Sequence, residues 1–441
     1  MSAFARVPSL ARAASTSAAP ARAKVLVIGG GTAGLSAANQ IYNAFKAKGQ
    51  ALAPGDVTIV DANKNHDYQP GWTLVGSGLA DKQGFRKPLD ALIPPYIGHI
   101  HENAAAFEPG TNEVVLTDGS KVGYDFLVVA PGLQINWDKI KGLPEALKDP
   151  LGNKVSSIYS YDTVDKVWDL VKDFKEGDGR AVFTQPFGPV KCAGAPQKVA
   201  YMADWYWKDA GRKIPESFIT GMPTMFAQPQ YAKALNALRE KKGISGEFNT
   251  NLVEVRPADR TAVFEILEGE NKGQKKEVQY GMLHAVPPMG PLDTFKKSPL
   301  ADEVGWVDVD ENSLQHKKFP NVFALGDGSS LPTSKTAAAI IGQAPVLTHN
   351  LVKLMTTGQV GQARYDGYTS CPLFTGRGEL MLAEFKYGHA KDETFSAFTN
   401  QEVPNKFFYH LTKDVFPRAY FNNLVKGTWY GPRTVFPPHF E

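Results

Sequence analysis

Cysteine is nearly absent from this chain: Cys192 and Cys371 are the two among 441 residues. Two thiols so far apart in sequence exclude a cysteine-dense secreted framework and a CxxC metal clip, and no other metal-ligand spacing is read. An excess of one charge is also lacking. With 48 basic and 45 acidic residues the net charge is +3, which gives no electrostatic footprint for a nucleic-acid partner. No run of 18 apolar residues occurs, so no transmembrane helix is expected and any membrane contact must be at the surface. Acids are missing from the start of the chain, where the first is Asp56. What is present is 43% hydrophobic content and 41 glycines, enough for two packed domains with several turns that approach phosphates closely.

Residues 1–23 carry Arg6, Arg12 and Arg22 among many Ala and Ser, with no acid. Arg-rich, Ser-rich and acid-poor composition is that of a mitochondrial targeting segment; a plain tail has the same look. Order is expected from Lys24. Val25–Ile28 reads as a buried strand, Ala33–Lys46 as a helix and Val57–Val60 as a second buried strand. Together they make a βαβ unit with a parallel pair. Val114–Leu116 and Tyr124–Ala130 read as a hairpin. A second α/β stretch begins near Leu151, with an amphipathic helix from Val164 to Phe174, strands at Ala181–Thr184 and Phe218–Thr220, a helix from Gln197 to Trp207, and Leu252–Val255 continuing the alternation. Asn321–Leu325 is a further buried strand, and Lys335–Met355 a long helix.

Gly29-Gly30-Gly31-Thr32-Ala33-Gly34 fits GxGxxG. The pattern is weak alone, but here it follows a strand and opens a helix, the context that gives it meaning. Gly29 makes the turn, Gly31 lets a pyrophosphate approach, and Gly34 lets helix and sheet pack, with the helix N-terminus facing the phosphates. Asp61 ends the second strand, where a carboxylate accepts from ribose hydroxyls and disfavours a 2′-phosphate.

After the strand Ala181–Thr184, a nicotinamide-binding unit needs a second loop of backbone amides. The chain instead reads Gln185-Pro186-Phe187-Gly188-Pro189-Val190-Lys191-Cys192-Ala193-Gly194-Ala195-Pro196. Proline has no amide hydrogen, so Pro186, Pro189 and Pro196 cannot cradle a pyrophosphate. Electrons are therefore not expected from NAD(P)H. Cys192 stands in that loop, ahead of a helix N-terminus and near Lys191 and Lys198, where partial positive charge lowers a thiol pKa and favours a nucleophilic thiolate. Pro372 keeps Cys371 out of a regular helix. An inert core thiol remains an equal reading for each.

The last 41 residues hold ten aromatics, among them Phe407, Phe408, Tyr409, Phe416, Tyr420, Phe421 and Phe436, interleaved with Lys406, Lys413, Arg418, Lys426 and Arg433. Phe408, Leu411 and Val415 fall on one helical face, Pro417 breaks the run, and Tyr420, Phe421, Leu424 and Val425 form another. Such a segment suits a membrane interface; packing on the core or on a sister subunit suits it equally.

Six stretches resemble known families. Phe319–Asp327, ending in Gly326-Asp327, resembles the second flavin motif of two-dinucleotide-fold flavoproteins, in which the Gly-Asp contacts the ribityl chain and pyrophosphate. Val128–Gly132, containing Ala130 and Gly132, resembles their intermediate motif, with Pro131 in place of Thr. Lys191–Lys198, Pro332–Ala339, Tyr365–Pro372 and Tyr68–Gly76 are similar to the eukaryotic mitochondrial sulfide:quinone oxidoreductases, and the likeness runs from Lys24 to Pro432. It implies an α/β fold with two Rossmann-like dinucleotide domains, the second without a working nucleotide loop, and a C-terminal membrane-associating segment. The divisions are 1–23, 24–140 with 310–355 (FAD), 141–309, and 356–441. It implies FAD, hydrogen sulfide, ubiquinone and a small sulfur acceptor (glutathione, sulfite or similar) as cofactor and partners, possible self-association, and a peripheral place on the mitochondrial inner membrane.

It further implies that Cys192 and Cys371 are a redox pair bridged by a disulfide or an extra sulfur. Sulfide attacks at Cys371, which becomes a persulfide, while the sulfur of Cys192 faces the flavin and passes on two electrons. Gln69 and the backbone near Ala104 match further FAD contacts. Lys335-Thr336-Ala337-Ala338 places a helix N-terminus and a lysine at the flavin N1/C2=O edge, which stabilises the reduced anion. Lys198 and Lys413 match lysines near the sulfur entry and the quinone side. Bacterial relatives use a third cysteine, and this chain has none. Two other readings stand beside this one: an NADH:quinone oxidoreductase of the same fold, and a non-catalytic FAD-binding interaction protein.

Overall fold

A computed structural model describes residues 22–433 together with 438 and 440; most of the leader, and Phe436, lie outside the described residues. The chain opens with β1 (Arg22–Ile28), two residues earlier than Lys24, because Arg22 and Ala23 already pair with Gly123 and Tyr124. α1 (Thr32–Ala47) and β2 (Val57–Val60) complete the βαβ unit, with β1 and β2 parallel. β3 (Gly98–Ile100) extends the sheet in parallel beyond β2. β4 (Ala104–Glu108), β5 (Glu113–Leu116) and β6 (Lys121–Val129) follow as antiparallel neighbours. β6 lies parallel to β1 along one edge. The four residues Val25–Ile28 are all buried. That is why they read as an unbroken apolar run: a parallel strand is covered on both faces.

The second unit is built on β7 (Val155–Ser156), α2 (Val164–Asp173), β8 (Ala181–Gln185), α3 (Ala195–Asp209), β9 (Glu216–Thr220) and β10 (Ser245–Glu247). β11 (Thr250–Arg256), β12 (Thr261–Ile266) and β13 (Lys275–Gln279) form an antiparallel meander. Leu252–Val255 therefore does not continue the α/β alternation; it starts a separate sheet, where no crossover helix is needed. β14 (Met282–His284) returns to complete a parallel sheet in the order β7-β14-β8-β9-β10.

β15 (Val322–Ala324) goes back to the first sheet and pairs in parallel with Leu127–Val129 of β6. α4 (Ala337–Thr357) follows and packs beside α1. It begins later than expected: Lys335 lies ahead of it, and Thr336 is its cap, accepting from the Ala339 amide. β16 (Thr369–Gly376) and β17 (Glu379–Phe385) form an antiparallel hairpin against α3.

The helical segment from Lys406 to Leu424 passes through Pro417 without breaking. Proline at the start of an α-turn has no intrahelical partner to lose, and the wider π-turns Leu411–Val415 and Tyr420–Leu424 flank it. The π-turns also rotate the side chains. Phe408 is fully buried while Val415 is 50% exposed, so the single face expected for them does not exist. Tyr420, Phe421, Leu424 and Val425 are all buried. They lie on α1, whose polar face is tied to this segment: Ser36 Oγ donates to Leu424 O, Asn39 Nδ2 to Val425 O, Gln40 Nε2 to Trp429 O and Asn43 Nδ2 to Lys426 O.

Candidate active site

Three chain crossings meet at the C-terminal ends of β1, β6 and β15. Gly29 has φ +100°, and a Cβ there would lie 2.4 Å from Ala130 O, so both its conformation and the approach of β6 demand glycine. A Cβ on Gly34 would collide with the Gly29 carbonyl, one on Gly326 would reach Ala33 Cβ, and one on Gly328 would reach Gly132 O. Gly29, Ala33, Gly34, Ala130, Gly132 and Gly326 are thus brought together. Gly31 caps α1 without any side-chain hydrogen bond, and nothing lies within 4 Å of where its Cβ would be. The first-turn amides of α1 are left for an anion. Asp61 accepts from the Gly30 amide at 2.6 Å and from the Asn63 amide at 2.7 Å, which holds its carboxylate beside the loop.

Ahead of α3, Cys192 adopts a left-handed φ of +53°, and its amide donates to Lys335 O at 2.9 Å. Its sulfur lies 3.1 Å from that of Cys371 in β16. Both are free thiols. Lys198, one turn into α3 and buried, places Nζ 3.4 Å from Cys192 Sγ. The Cys192 thiol is held well below its ordinary range: Cys371 donates to its sulfur, and the Lys198 ammonium and the Gly194 amide act in the same sense against burial. Cys371 is pushed the other way by that same hydrogen bond and by burial. The contact between the sulfurs and the Lys198 ammonium thus favour thiolate character on Cys192 over Cys371. Gly194 makes the approach possible, since a Cβ there would be 2.6 Å from Cys371 Sγ.

A chain of charge joins the two regions. Lys191 Nζ donates to Gln69 Oε1 at 2.9 Å. Asp327 lies between Lys191 and Lys335, its carboxyl raised by burial against the pull of both cations. Lys335 donates to Ser329 O and stands over the Trp306 ring, and burial lowers its pKa to about 8. Residues 23–171 match the pyridine nucleotide-disulphide oxidoreductase family model. The mitochondrial sulfide:quinone oxidoreductase of Schizosaccharomyces pombe is 46% identical across 98% of this chain and 95% of its own. That of Dictyostelium discoideum is 42% identical across 94% and 88%. The chain belongs to the mitochondrial sulfide:quinone oxidoreductase family. The sulfide:quinone oxidoreductase structure from Aquifex aeolicus shares the fold, with a TM-score of 0.70 at 20% identity over 90% of this chain and 91% of that one.

FAD is the cofactor of this family member, and the residues present fit it: an uncapped helix N-terminus, a carboxylate at the end of β2 held beside the glycine loop, and a Gly-Asp turn after β15. The candidate site also contains groups that sequence reasoning missed. Tyr159 is one; its hydroxyl donates to Lys191 O at 3.1 Å, and burial beside both sulfurs raises its pKa far above the usual phenol. A second is the trio Thr32, His66 and Tyr420. His66 Nδ1 donates to Gly30 O, Tyr420 donates to His66 Nε2 at 2.7 Å, and Thr32 donates to Tyr420 at 2.6 Å. Nothing local in sequence marks either set, because each partner is remote. Ala104 starts β4, beyond the end of β3. Thr336, Ala337 and Ala338 form the start of α4. Lys413 is not brought to the sulfurs; its ammonium pairs with Asp414 on an exposed face.

Proposed function

We propose that this chain oxidises hydrogen sulfide at Cys192 and Cys371, using FAD, and delivers the electrons to ubiquinone at the mitochondrial inner membrane. The observation that carries the reading is the pair of sulfurs at 3.1 Å, with Lys198 beside them, at the N-terminus of α3. In a nicotinamide-dependent relative that helix end would face a pyrophosphate. Here β16 brings Cys371 and Leu373 to within van der Waals reach of Gly194, which opposes the NADH reading, and a flavin-binding protein without turnover has no use for the juxtaposition. The second unit is then a dinucleotide fold whose loop holds a cysteine instead of a nucleotide.

In the oxidised pair, hydrosulfide attacks the Cys371 sulfur. The bridging bond breaks and its electron pair leaves on Cys192, where Lys198 and the Gly194 amide stabilise the thiolate. Cys371 is left as a persulfide. A small nucleophile, a thiol or sulfite, takes the outer sulfur and leaves Cys371 with the electron pair of that bond. FAD, when bound, would supply the two-electron acceptor that lets Cys192 and Cys371 close again into a bridge, with quinone as the final acceptor. Gly29, Gly31, Gly34, Asp61, Asp327 and the start of α4 would hold FAD, with Lys335 and Gln69 beside it, and Lys413 would serve the quinone side. The exposed Phe398, Val403, Phe407 and Val415 near Lys406 and Lys413 give an aromatic and basic surface for lipid. No described helix is long and apolar enough to cross a membrane.

Cys371→Ser is expected to keep FAD and lose bleaching of the flavin by sulfide in anaerobic stopped-flow. Full turnover in that variant, or bleaching of the wild type by NADH alone, would overturn the proposal.

A further inference from the structure

The edge of the first sheet carries a cluster that sulfide chemistry does not use. His99 and His101 are two positions apart at the end of β3, so their side chains emerge on the same side of the extended chain. The turn Leu89–Ala91 brings Asp90 to them. His99 Nδ1 lies 2.8 Å and His101 Nε2 3.5 Å from Asp90 Oδ1. One ligand atom from each of the three residues falls within 4.8 Å of the other two. The imidazole rings are 3.9 Å apart between centroids.

The orientation of His99 is fixed from behind. Its Nε2 lies 3.0 Å from Asp61 O, and a carbonyl oxygen only accepts, so Nε2 carries the hydrogen. Nδ1 is then the nitrogen turned to Asp90 and His101; it shares a hydrogen with the Asp90 carboxylate at 2.8 Å, and becomes a ligand when a cation displaces that hydrogen. A histidine held by a carbonyl through its far nitrogen is the outer-shell arrangement of a metal ligand. The side chain of His99 is 8% exposed, while those of His101 and Asp90 are 58% and 69% exposed. One ligand is thus locked in place, and two can close on an ion arriving from solvent.

We infer that Asp90, His99 and His101 form a binding site for a borderline divalent cation of the zinc class, with water completing the shell. Two imidazole nitrogens and one carboxylate suit zinc, whereas calcium and magnesium require more oxygen ligands. Any proton on the ligating nitrogens leaves to solvent as the ion binds. The ion would also act on the dinucleotide loop. His99 holds the Asp61 carbonyl, the Asp61 carboxylate holds the Gly30 amide, and a Cβ on Gly30 would meet Leu89, which adjoins Asp90. Occupancy therefore stiffens the ribose side of the FAD cradle; this second part rests on the FAD reading, and the first does not.

The test is calorimetric titration of chelator-treated holoenzyme with zinc chloride, in a Cys192→Ser/Cys371→Ser background so that the active-site thiols cannot compete. One zinc per chain is expected, with nitrogen and oxygen but no sulfur neighbours by X-ray absorption. Asp90→Asn and His101→Ala, both at exposed positions, should weaken binding by at least about tenfold, the lower end of what loss of an outer-shell partner alone costs, with FAD content and circular dichroism unchanged. No binding to the thiol-free holoenzyme, or binding undiminished by His101→Ala, overturns the site. Zinc should slow the release of FAD, read by flavin fluorescence. If zinc binds as expected and the release rate is unchanged, the link to the cradle is overturned and the site remains.

Discussion

Gly194→Ala isolates the approach of the two sulfurs. Gly194 has φ −86° and ψ −6°, a conformation open to any residue, so the substitution adds no backbone strain and acts through space alone. Its Cβ would lie 2.4 Å from Leu373 Cδ2 and 2.6 Å from Cys371 Sγ, where non-bonded atoms prefer about 3.5–4.0 Å. β16 must retreat by roughly 1 Å, and overpacking of this kind costs about 1–3 kcal/mol. The separation of the sulfurs grows from 3.1 Å by a similar amount, and a displacement near 1 Å at reacting atoms costs on the order of 10²-fold in rate. The assay is anaerobic stopped-flow bleaching of the flavin by sulfide, together with denaturant unfolding. Gly84→Ala is the control, since nothing lies within 4 Å of its Cβ. If Gly194→Ala unfolds within about 0.5 kcal/mol of wild type, the scatter of surface substitutions, and bleaches at the wild-type rate, the steric argument is refuted.

Gly31→Ala should leave the stability of the apoprotein unchanged or raise it by about 0.4–1 kcal/mol, because its Cβ meets no protein atom, while FAD affinity in a fluorescence titration falls at least about tenfold, ~1.4 kcal/mol. Lys198→Met should move the pH profile of iodoacetamide reaction at Cys192 in the reduced enzyme. In the wild type the lowered pKa keeps the thiolate as pH falls, and reactivity is lost only below that pKa; without the ammonium the loss shifts upward toward about 8.5. An unshifted profile would remove Lys198 from the site. Lys335→Met should lower the potential of the bound flavin by on the order of 30 mV, ~1.4 kcal/mol for a two-electron couple. Because Lys335 is a cation below its pKa of about 8, the difference from wild type should shrink as pH rises through that value. A constant difference would show that charge is not the cause.

The first dinucleotide unit was legible because every one of its determinants is local: a buried strand, a glycine turn and an amphipathic helix lie within 40 residues of one another. The return of Val322–Ala324 to the same sheet was not local, and only the resemblance of Phe319–Asp327 to a flavin motif placed it. Pro186 and Pro189 drew attention to the loop that carries Cys192, but not to what fills the helix end beyond it. That is Cys371, whose nearness to Cys192 no spacing reveals. Pro417 misled because proline was weighed as a breaker, whereas at the first turn of Phe416–Ala419 it interrupts nothing. Leu252–Val255 misled because an apolar run of four carries no sign of its partner's direction. Tyr159 and Tyr420 were invisible for a different reason: each acts through one hydroxyl on a residue far away in sequence.

The tie between α1 and the Lys406–Leu424 segment bears on biosynthesis. Thr32 and Tyr420 are joined across 388 positions, and the carbonyls that receive Ser36, Asn39, Gln40 and Asn43 all lie at Leu424 or beyond. A ribosome delivers the latch 388 positions after Thr32 of the glycine loop. The nascent chain therefore carries an open cradle until residues 420–429 have emerged, and secure cofactor loading waits for them. A chain clipped before residue 406 would lose the latch while keeping every glycine of the loop.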